Sequence, residues 1–279
     1  MGVARTPREE PLNARRLLAP IPIPLTLTLA ALLAMAAPLS AQDVEQILER
    51  SGALSRIENL SGELTLTVVS PGGDRRVTRV TAYQKRRSPE REDRLFVFTF
   101  PPNVRGTALL VHSNINRGDD SMWLYLPAVG RIKRVDLSTA GGGYFMGSDF
   151  TFRDLISRDD AEYVHTLLED APGSDEHHVL DVRGRTPELQ REFGYSREEH
   201  YIRRDDFVNE RILFYDLAGD LLKELTVLEL YREDGLVYPS RARMHNHQTG
   251  HVSEIVAERL SFTDDIPDRY FTHRYLQRQ

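Results

Sequence analysis

Three histidines near the C-terminal end of the chain have the residue type, and part of the spacing, that a metal site requires. His245 and His247 would point to the same face of an extended strand, because side chains on a strand alternate with a period of two. His251 lies four residues after His247 in the sequence. A protein zinc site takes three or four ligands, but no carboxylate is close in sequence, and residues 246–250 have the composition of a hairpin tip. The sequence therefore predicts no metal site here.

Ser148 is the residue that most resembles a catalytic nucleophile, since it stands between Gly147 and Asp149. The Gly-x-Ser-x-Gly turn that exposes a hydrolase serine is absent, however, and helix N-capping by Ser148 or Asp149 is the favoured role. The run Gly141–Gly143 lacks the Lys-Ser/Thr pair of a phosphate-binding loop and the spaced glycines of a dinucleotide-binding fingerprint. We therefore expect no catalytic residue, no cofactor and no enzymatic activity.

The first 41 residues have the order of a secretory signal peptide. Arginines within residues 5–16 precede the apolar run Leu25–Ala37, and small residues lead to a predicted cleavage point after Ala41. A membrane anchor is the alternative, but the apolar run is shorter than the roughly 20 residues that cross a bilayer. The Arg15-Arg16 pair leaves twin-arginine export open beside general secretion. We expect an exported, periplasmic protein whose remaining residues, 42–279, form a single domain.

Cysteine content and charge narrow the possible partners. The chain has no cysteine, so it can form no disulfide and carries no lipid-modified N-terminal cysteine. Its formal net charge of −6 argues against nucleic acid as a partner. The sequence therefore predicts a monomer that is not anchored to lipid.

The rest of the chain has the pattern of one large antiparallel sheet. Residues Asp43–Ile57 have the apolar spacing of an amphipathic helix, and a second short helix is predicted at Phe150–Ser157, where Thr151 and Asp154 resemble a capping box. Between and after these helices, short alternating runs are separated by turn signals. We expect a mainly β (α+β) fold with a curved sheet of about 10–11 strands and two or three helices on its concave side.

The most distinctive region contains the only tryptophan and a glycine run beside large apolar side chains. Residues Met122–Asp136 are predicted to form a hairpin in the wall of the sheet. Residues Gly141–Asp154 are predicted to form a hinged lid, because the glycines would leave the segment free while its aromatic residues cover an apolar pocket. Arg131 and Arg134 belong either to the outer face of a strand or to the mouth of the cavity.

Six short motifs, in order along most of the chain, resemble the LolA-like family of outer membrane lipoprotein-sorting proteins. They are Arg105–Leu109, Asp120–Pro127, Arg131–Arg134, Phe145–Phe150 with Asp154, Tyr238–Arg241 with Met244, and Phe271. The resemblance implies an incomplete antiparallel β-barrel with an α-helical lid. It also implies an apolar interior that holds the acyl chains of a lipoprotein or another lipid during transfer across the periplasm.

On this resemblance, particular residues are expected to line the cavity and its lid. They are Phe96, Phe98, Leu109, Val111, Trp123, Tyr125, Phe145, Met146 and Met244, with Gly141, Gly142, Gly143 and Gly147 as hinges and Arg131 and Arg134 at the mouth. Trp123 and Tyr125 are chosen over Met122 and Leu124, which would lie on the other face of the same strand.

The expected function is that of a periplasmic carrier that takes lipoprotein acyl chains or another lipid toward the outer membrane. Such a carrier would exchange its cargo with an inner-membrane exporter and an outer-membrane acceptor. The alternative is a periplasmic adaptor of a membrane exporter, which would hand over an apolar compound other than a lipoprotein. Each CH₂ group of the cargo that leaves water would gain about 0.8 kcal/mol, and this gain would favour binding.

Overall fold

A computed structural model of the protein describes residues 1–2, 39–114, 120–137 and 143–278. Most of the predicted signal peptide and the predicted hinges Gly141 and Gly142 lie outside the described residues. Residues 40–279 form one compact unit. Within the described ranges, no helix combines the length and the apolar character needed to span a membrane.

Thirteen strands of the described residues form a single antiparallel sheet. They are β1 (Asn59–Val69), β2 (Arg75–Ser88), β3 (Arg91–Phe100), β4 (Ala108–Asn114), β5 (Ser121–Leu126), β6 (Arg131–Arg134), β7 (Tyr163–Leu167), β8 (His177–Gly184), β9 (Arg197–Arg203), β10 (Asn209–Tyr215), β11 (Leu221–Glu233), β12 (Leu236–Asn246) and β13 (Val252–Ser261). The predicted antiparallel sheet is confirmed, with more strands than the 10–11 expected.

The strand order gives the path of the chain through the sheet. The order is β6-β5-β4-β3-β2-β1-β13-β12-β11-β10-β9-β8-β7, so β1 pairs with β13 in the middle and β6 and β7 are the two edges. The chain therefore starts at the centre of the sheet, runs to one edge, crosses to the other edge, and returns to the centre. We call the described part of the connection between the edges, residues 143–162, the crossing segment.

The sheet is strongly curved and open. Thirteen flat strands would span about 58 Å at the usual interstrand spacing of about 4.8 Å. Yet Met122 near one edge and Leu180 near the other belong to the same cluster of buried apolar side chains. The sheet must therefore curl around that cluster, but β6 and β7 do not pair and the barrel stays incomplete.

Three α-helices are present among the described residues: α1 (Leu39–Leu54), α2 (Pro187–Phe193) and α3 (His273–Leu276). Helix α1 confirms the amphipathic helix predicted from Asp43, although it begins earlier. The helix predicted at Phe150–Ser157 is wrong, because only the 3-10 turn Arg153–Leu155 forms there.

The backbone at the start of the predicted second helix is bridged to the preceding residues of the crossing segment. Tyr144 and Thr151 form a bridge, and the Phe145 amide donates to the Phe150 carbonyl over 2.7 Å. The two capping-box hydrogen bonds do form: the Thr151 amide donates to Asp154 Oδ2 (2.8 Å), and the Asp154 amide donates to Thr151 Oγ1 (3.2 Å). The polar pair therefore caps a single 3-10 turn.

Strand alternation divides the buried apolar side chains between the two faces of the sheet. The inner cluster lies on the concave face and includes Leu66, Val80, Phe98, Leu109, Met122, Leu180, Ile202 and Met244. The outer cluster lies on the opposite face of β3–β5, where the C-terminal residues Ile266, Phe271 and Leu276 cover Leu95, Ala108, Leu110 and Tyr125. The C-terminal segment therefore shields the face of these strands that does not meet the inner cluster.

The outer cluster should contribute substantially to stability. Leu276 is fully buried, so replacing it with alanine is expected to lower the free energy of unfolding by about 2–5 kcal/mol. Urea unfolding followed by circular dichroism measures this change. Leu217 is half exposed and provides the matched control, since Leu217→Ala should change stability by less than about 0.5 kcal/mol. Equal effects of the two substitutions would contradict the assignment of α3 to the core.

Candidate functional site

The crossing segment lies on the concave face and contributes directly to the inner cluster. Phe145, Phe150 and Ile156 are buried there. The Phe145 ring packs at 6.0 Å from the Phe98 ring and 6.3 Å from the Phe96 ring, between centroids. The predicted lid therefore has the expected apolar contacts with β3.

A buried lysine fastens the crossing segment to the far half of the sheet. Lys223 on β11 is fully buried, and its Nζ donates to the Asp149 carbonyl and to Asp154 Oδ2, each over 2.8 Å. Tyr195 Oη donates to the other oxygen of Asp154 over 3.1 Å. A buried charge is tolerated when it is paired and hydrogen-bonded, as this one is. We call Lys223, Asp154 and Tyr195 the latch.

Two further contacts hold the segment on either side of the latch. Ser253 on β13 accepts from the Asp149 amide (2.9 Å) and donates to Asp149 Oδ2 (2.7 Å). Arg76 on β2 donates to the Gly147 carbonyl over 2.7 Å. Gly147 has a φ of +65°, which favours glycine, and a Cβ there would meet Arg76 Nη2 at 2.7 Å, so the flexible end of Arg76 would have to shift. Asp149 thus bonds to β13, while Ser148 Oγ accepts from the Phe150 amide over 3.2 Å.

Most of the residues predicted to line the cavity meet in one place. Phe96, Phe98, Leu109, Val111, Phe145 and Met244 belong to the inner cluster, and Met146 packs against it. Gly143 and Gly147 both have positive φ values, as hinge glycines often do. Their ligand-binding role stays a prediction.

Trp123 and Tyr125 are on the wrong face for the predicted cavity. Met122 and Leu124 point into the inner cluster, whereas Trp123 and Tyr125 join the outer cluster. The Trp123 ring makes T-shaped contacts with the rings of His112 and His273, at centroid distances of 5.0 Å and 4.6 Å. The sequence could not fix the face, because both alternating sets of β5 are apolar and the C-terminal segment that covers one of them is distant in sequence.

The predicted basic residues and histidines are peripheral. Arg131 is exposed on the edge strand β6. Arg134 lines a cavity of about 390 Å³ together with Asp120, Asp136 and Arg153, and two other residues of its lining, Val135 and Leu137, pack against the inner cluster. His245 and His247 lie 4.3 Å apart between ring centroids beside the β12–β13 hairpin, and no group of three potential metal ligands occurs among the described residues.

Helix α1 covers the remaining part of the concave face and is held mainly by apolar contacts. Ile47 is buried in the inner cluster, with Val44 and Leu48 packed beside it. Within the described part of the chain, the side chains of residues 43–54 form no hydrogen bond or ion pair with the sheet. The Arg50 guanidinium instead lies 4.8 Å from the Phe207 ring centroid. Its attachment is therefore mainly apolar, in contrast to the latched crossing segment.

Cavities border α1 on several sides. One of about 420 Å³ is lined by Gln46, Ile47 and Arg50 of the helix and by His178 and Phe207. Another, of about 500 Å³, lies between the opposite side of the helix and β7. A third, of about 580 Å³, lies between the end of α1 and the inner face of β2, β3, β9 and β12. These volumes are in the range of about 300–1,000 Å³ that small-molecule sites occupy.

The third cavity is lined mostly by charged and polar side chains, and we call it the charged chamber. Its charged and hydroxyl- or amide-bearing aliphatic lining residues, with its histidine, are Ser51, Ser55, Arg56, Gln84, Arg86, Glu92, Arg94, Ser157, Arg158, Asp160, His200 and Asn209. The arginines and Glu92 among them were not singled out from the sequence. Alternation along Arg91–Phe98 could have shown that Glu92 and Arg94 share a face with Phe96 and Phe98.

Glu198 and Arg158 form a buried ion pair at the wall of the charged chamber. Arg158 Nη1 lies 2.6 Å from Glu198 Oε1, and His200 Nε2 lies 2.8 Å from Glu198 Oε2. Burial alone would raise the pKa of the Glu198 carboxyl, but the charge of Arg158 and the hydrogen bond with His200 outweigh it and lower the pKa to about 2. Glu198 is therefore ionised in the folded protein throughout the neutral range.

This pair gives stability a defined pH dependence. The unfolded Glu198 takes up a proton near its ordinary pKa of 4.5, whereas the folded carboxylate resists protonation down to about 2. The stabilisation is complete above about pH 4.5 and is lost as the pH falls toward 2, for a total of roughly 3 kcal/mol. The difference in unfolding free energy between the wild type and Glu198→Gln, measured in urea at pH 7, 5 and 3, should shrink as the pH falls. A constant difference would contradict the assignment.

Comparisons with known proteins give a family and several related folds. A family model described as an uncharacterized protein matches residues 90–278. None of the curated proteins matches the sequence significantly.

Among solved structures, a domain named for outer membrane lipoprotein sorting, from Vibrio parahaemolyticus, is 26% identical with a TM-score of 0.75, over 83% of this chain and 97% of its own. A DUF1329 family protein from Desulfovibrio piger is 25% identical with a TM-score of 0.77, over 85% of this chain and 99% of its own. A LolA superfamily protein from Nitrosomonas europaea is 20% identical with a TM-score of 0.64, over 83% of this chain and 98% of its own, which shows a common fold.

Proposed function

We propose that this chain, which belongs to the family of uncharacterized proteins whose model spans residues 90–278, carries a lipid or the acyl chains of a lipoprotein. Its predicted LolA-like fold is confirmed. The observation that supports this proposal most is the construction of the concave face. It is lined by a large apolar cluster and covered by a helix whose described side chains dock mainly through apolar contacts. No catalytic step is part of the proposal.

Because α1 is held mainly by apolar contacts, an apolar ligand can replace those contacts. A buried CH₂ group contributes about 0.8 kcal/mol whether it belongs to Ile47 or to an acyl chain. An acyl chain that enters beneath α1 can therefore replace the contacts of Val44, Ile47 and Leu48 with the inner cluster. The helix moves aside while the latch keeps the crossing segment in place, so the carrier opens without unfolding.

The proposed carrier works in the periplasm. The N-terminal residues have the order of an export signal, and the domain named for outer membrane lipoprotein sorting shares the fold and 26% of the sequence. Transfer from an inner-membrane exporter to an outer-membrane acceptor is the route that a soluble carrier of this kind would serve.

Native mass spectrometry of the protein, expressed with its N-terminal segment and purified without detergent, tests the carrier proposal. We expect added mass that dissociates as a lipid or an acylated peptide. Protein stripped of that ligand in organic solvent and refolded should take up lipid again from phospholipid vesicles. Bare protein that also fails to take up lipid from vesicles would overturn the proposal.

Trp123 reports whether the ligand occupies the inner face. Bromine quenches indole fluorescence only at short range, and Trp123 lies in the outer cluster, so a bound brominated fatty acid should leave its emission unchanged. The control is Trp123→Phe combined with Leu48→Trp, which moves the indole to α1 at the inner cluster. That emission should be quenched. Quenching of Trp123 in the wild type would place the ligand on the outer face.

A further inference from the structure

The inner face of the sheet changes from apolar to charged along its strands. On β3 the side chains that face inward are Glu92, Arg94, Phe96 and Phe98 in that order, and only the last two enter the inner cluster. On β2 the corresponding side chains run from Ala82 in the inner cluster to Gln84 and Arg86 in the charged chamber. The interior is therefore amphipathic, with its polar end beside the end of α1.

Positive charge exceeds negative charge in this chamber. Four arginines line it, namely Arg56, Arg86, Arg94 and Arg158, against the carboxylates of Glu92 and Asp160 in its lining and of Glu198 at its wall, so the excess is one positive charge. The C-terminal end of α1 adds only a partial negative charge of about half a unit. The excess positive charge favours an anionic group.

Two of the arginines still have donors to offer. Glu92 is satisfied by Arg94 (2.6 Å), Gln84 (3.1 Å) and Ser157 (3.0 Å). Arg86 forms a longer ion pair with Glu92 through Nη2 (3.5 Å) and donates from Nη1 to the Pro89 carbonyl (3.5 Å). Arg86 Nε is buried and has no hydrogen-bond partner. The Arg56 guanidinium, at the exposed rim, forms no hydrogen bond or ion pair with the residues that the structure describes.

An amide in the same chamber is also incompletely bonded. Asn209 Nδ2 contacts His200 Nδ1 at 3.0 Å, but Asn209 Oδ1 is buried without a partner. Turning the amide over would leave the nitrogen without a partner instead. A buried polar group without a partner costs about 1–3 kcal/mol, so a ligand that supplies hydrogen-bonding groups here is favoured.

From this arrangement we infer that the charged chamber binds the anionic headgroup, of phosphate type, of an amphiphile whose acyl chain lies against the inner cluster. Arg86 and Arg56 donate hydrogen bonds to the headgroup, and the Asn209 amide forms a hydrogen bond with a neighbouring hydroxyl or amide group of the ligand. Ile202 lies at the boundary, since it lines the chamber and belongs to the inner cluster. Leu48 of α1 stands at the same boundary, so the headgroup and the chain would meet beneath the helix that covers both. The inference rests on the proposed carrier function and specifies the cargo.

The test compares two amphiphiles that have the same acyl chain, namely a monoacylglycerol phosphate and the uncharged monoacylglycerol, by calorimetry below their critical micelle concentrations. We expect the wild type to bind the phosphate at least tenfold more tightly. Arg86→Gln should reduce this preference by about 10- to 100-fold, as expected for the loss of a charge-assisted hydrogen bond. Arg56→Gln, at an exposed position that folding does not require, should reduce it in the same direction.

Arg75 provides the matched control, because it is exposed on the same strand as Arg86 but outside the chamber. Arg75→Gln should leave the preference unchanged. Equal affinity for the two amphiphiles, or a preference that survives both chamber variants, would overturn the headgroup site while leaving the carrier intact. If neither amphiphile binds to the wild type, the carrier proposal is overturned as well. Competition by inorganic phosphate at the affinity of the phosphate amphiphile would identify a site for the free anion and overturn the headgroup assignment.

Discussion

Replacing Lys223 with methionine is expected to lower the free energy of unfolding by about 3–5 kcal/mol. Methionine fills a similar volume, so the loss does not come from a cavity. It comes from Asp154, whose side chain is only 10% exposed and would lose its cationic partner. Breaking a buried ion pair by removing one partner costs this amount because the other charge stays buried. Urea unfolding at pH 7 gives the value.

A double-mutant cycle separates the latch from general packing. Asp154→Asn in the Lys223→Met background should recover part of the loss, since the uncompensated charge is removed. Lys133→Met on the exposed strand β6 is the control and should change stability by less than about 0.5 kcal/mol. Additive effects of the two latch substitutions would show that Lys223 and Asp154 are not coupled.

Replacing Ile47 with alanine is expected to speed the exchange of a bound acyl probe at least tenfold. Ile47 is 4% exposed and is the buried contact of α1 with the inner cluster. Truncating a buried isoleucine costs about 2–5 kcal/mol, and every 1.4 kcal/mol changes a population tenfold, so displaced α1 becomes far more common. Stopped-flow transfer of a fluorescent fatty acid to vesicles measures the rate.

Glu49 supplies the control on the same helix, since it is exposed and Glu49→Ala leaves the apolar contact unchanged. Its exchange rate should match that of the wild type. An Ile47→Ala protein that remains folded and exchanges the probe at the wild-type rate would show that α1 is not the moving cover. The moving part would then be the crossing segment, and latch variants such as Lys223→Met would be the ones to speed exchange.

The sheet and its helix were predictable because their signals are local. Alternation and turn residues indicated antiparallel strands, and the spacing of Val44, Ile47 and Leu48 indicated α1. The inner position of Phe96 and Phe98 also followed from their period. The number of strands was underestimated. The short helix at Phe150–Ser157 was wrong because Phe150 and Thr151 pair with Tyr144 and Phe145, which leaves only the 3-10 turn Arg153–Leu155.

The latch and the charged chamber depend on contacts between distant parts of the chain. Lys223 meets Asp154 across the concave face, and nothing near either residue in sequence indicates the pair. The same holds for Arg158 and Glu198. The face of Trp123 was likewise decided by C-terminal residues such as His273, more than a hundred positions away. Local patterns therefore gave the architecture, most of the apolar lining and the local hydrogen bonds between Thr151 and Asp154, but not the polar contacts between distant parts of the chain.

Photo-crosslinking with a diazirine-bearing fatty acid tests most directly whether the ligand lies on the concave face beneath α1. After irradiation, peptide mass spectrometry locates the labelled residues. We expect labels on α1 around Val44–Leu48 and on residues of the inner cluster, with none on residues 266–276 of the C-terminal segment. Labels confined to the C-terminal segment, or spread evenly over the surface, would contradict a binding site inside the curved sheet.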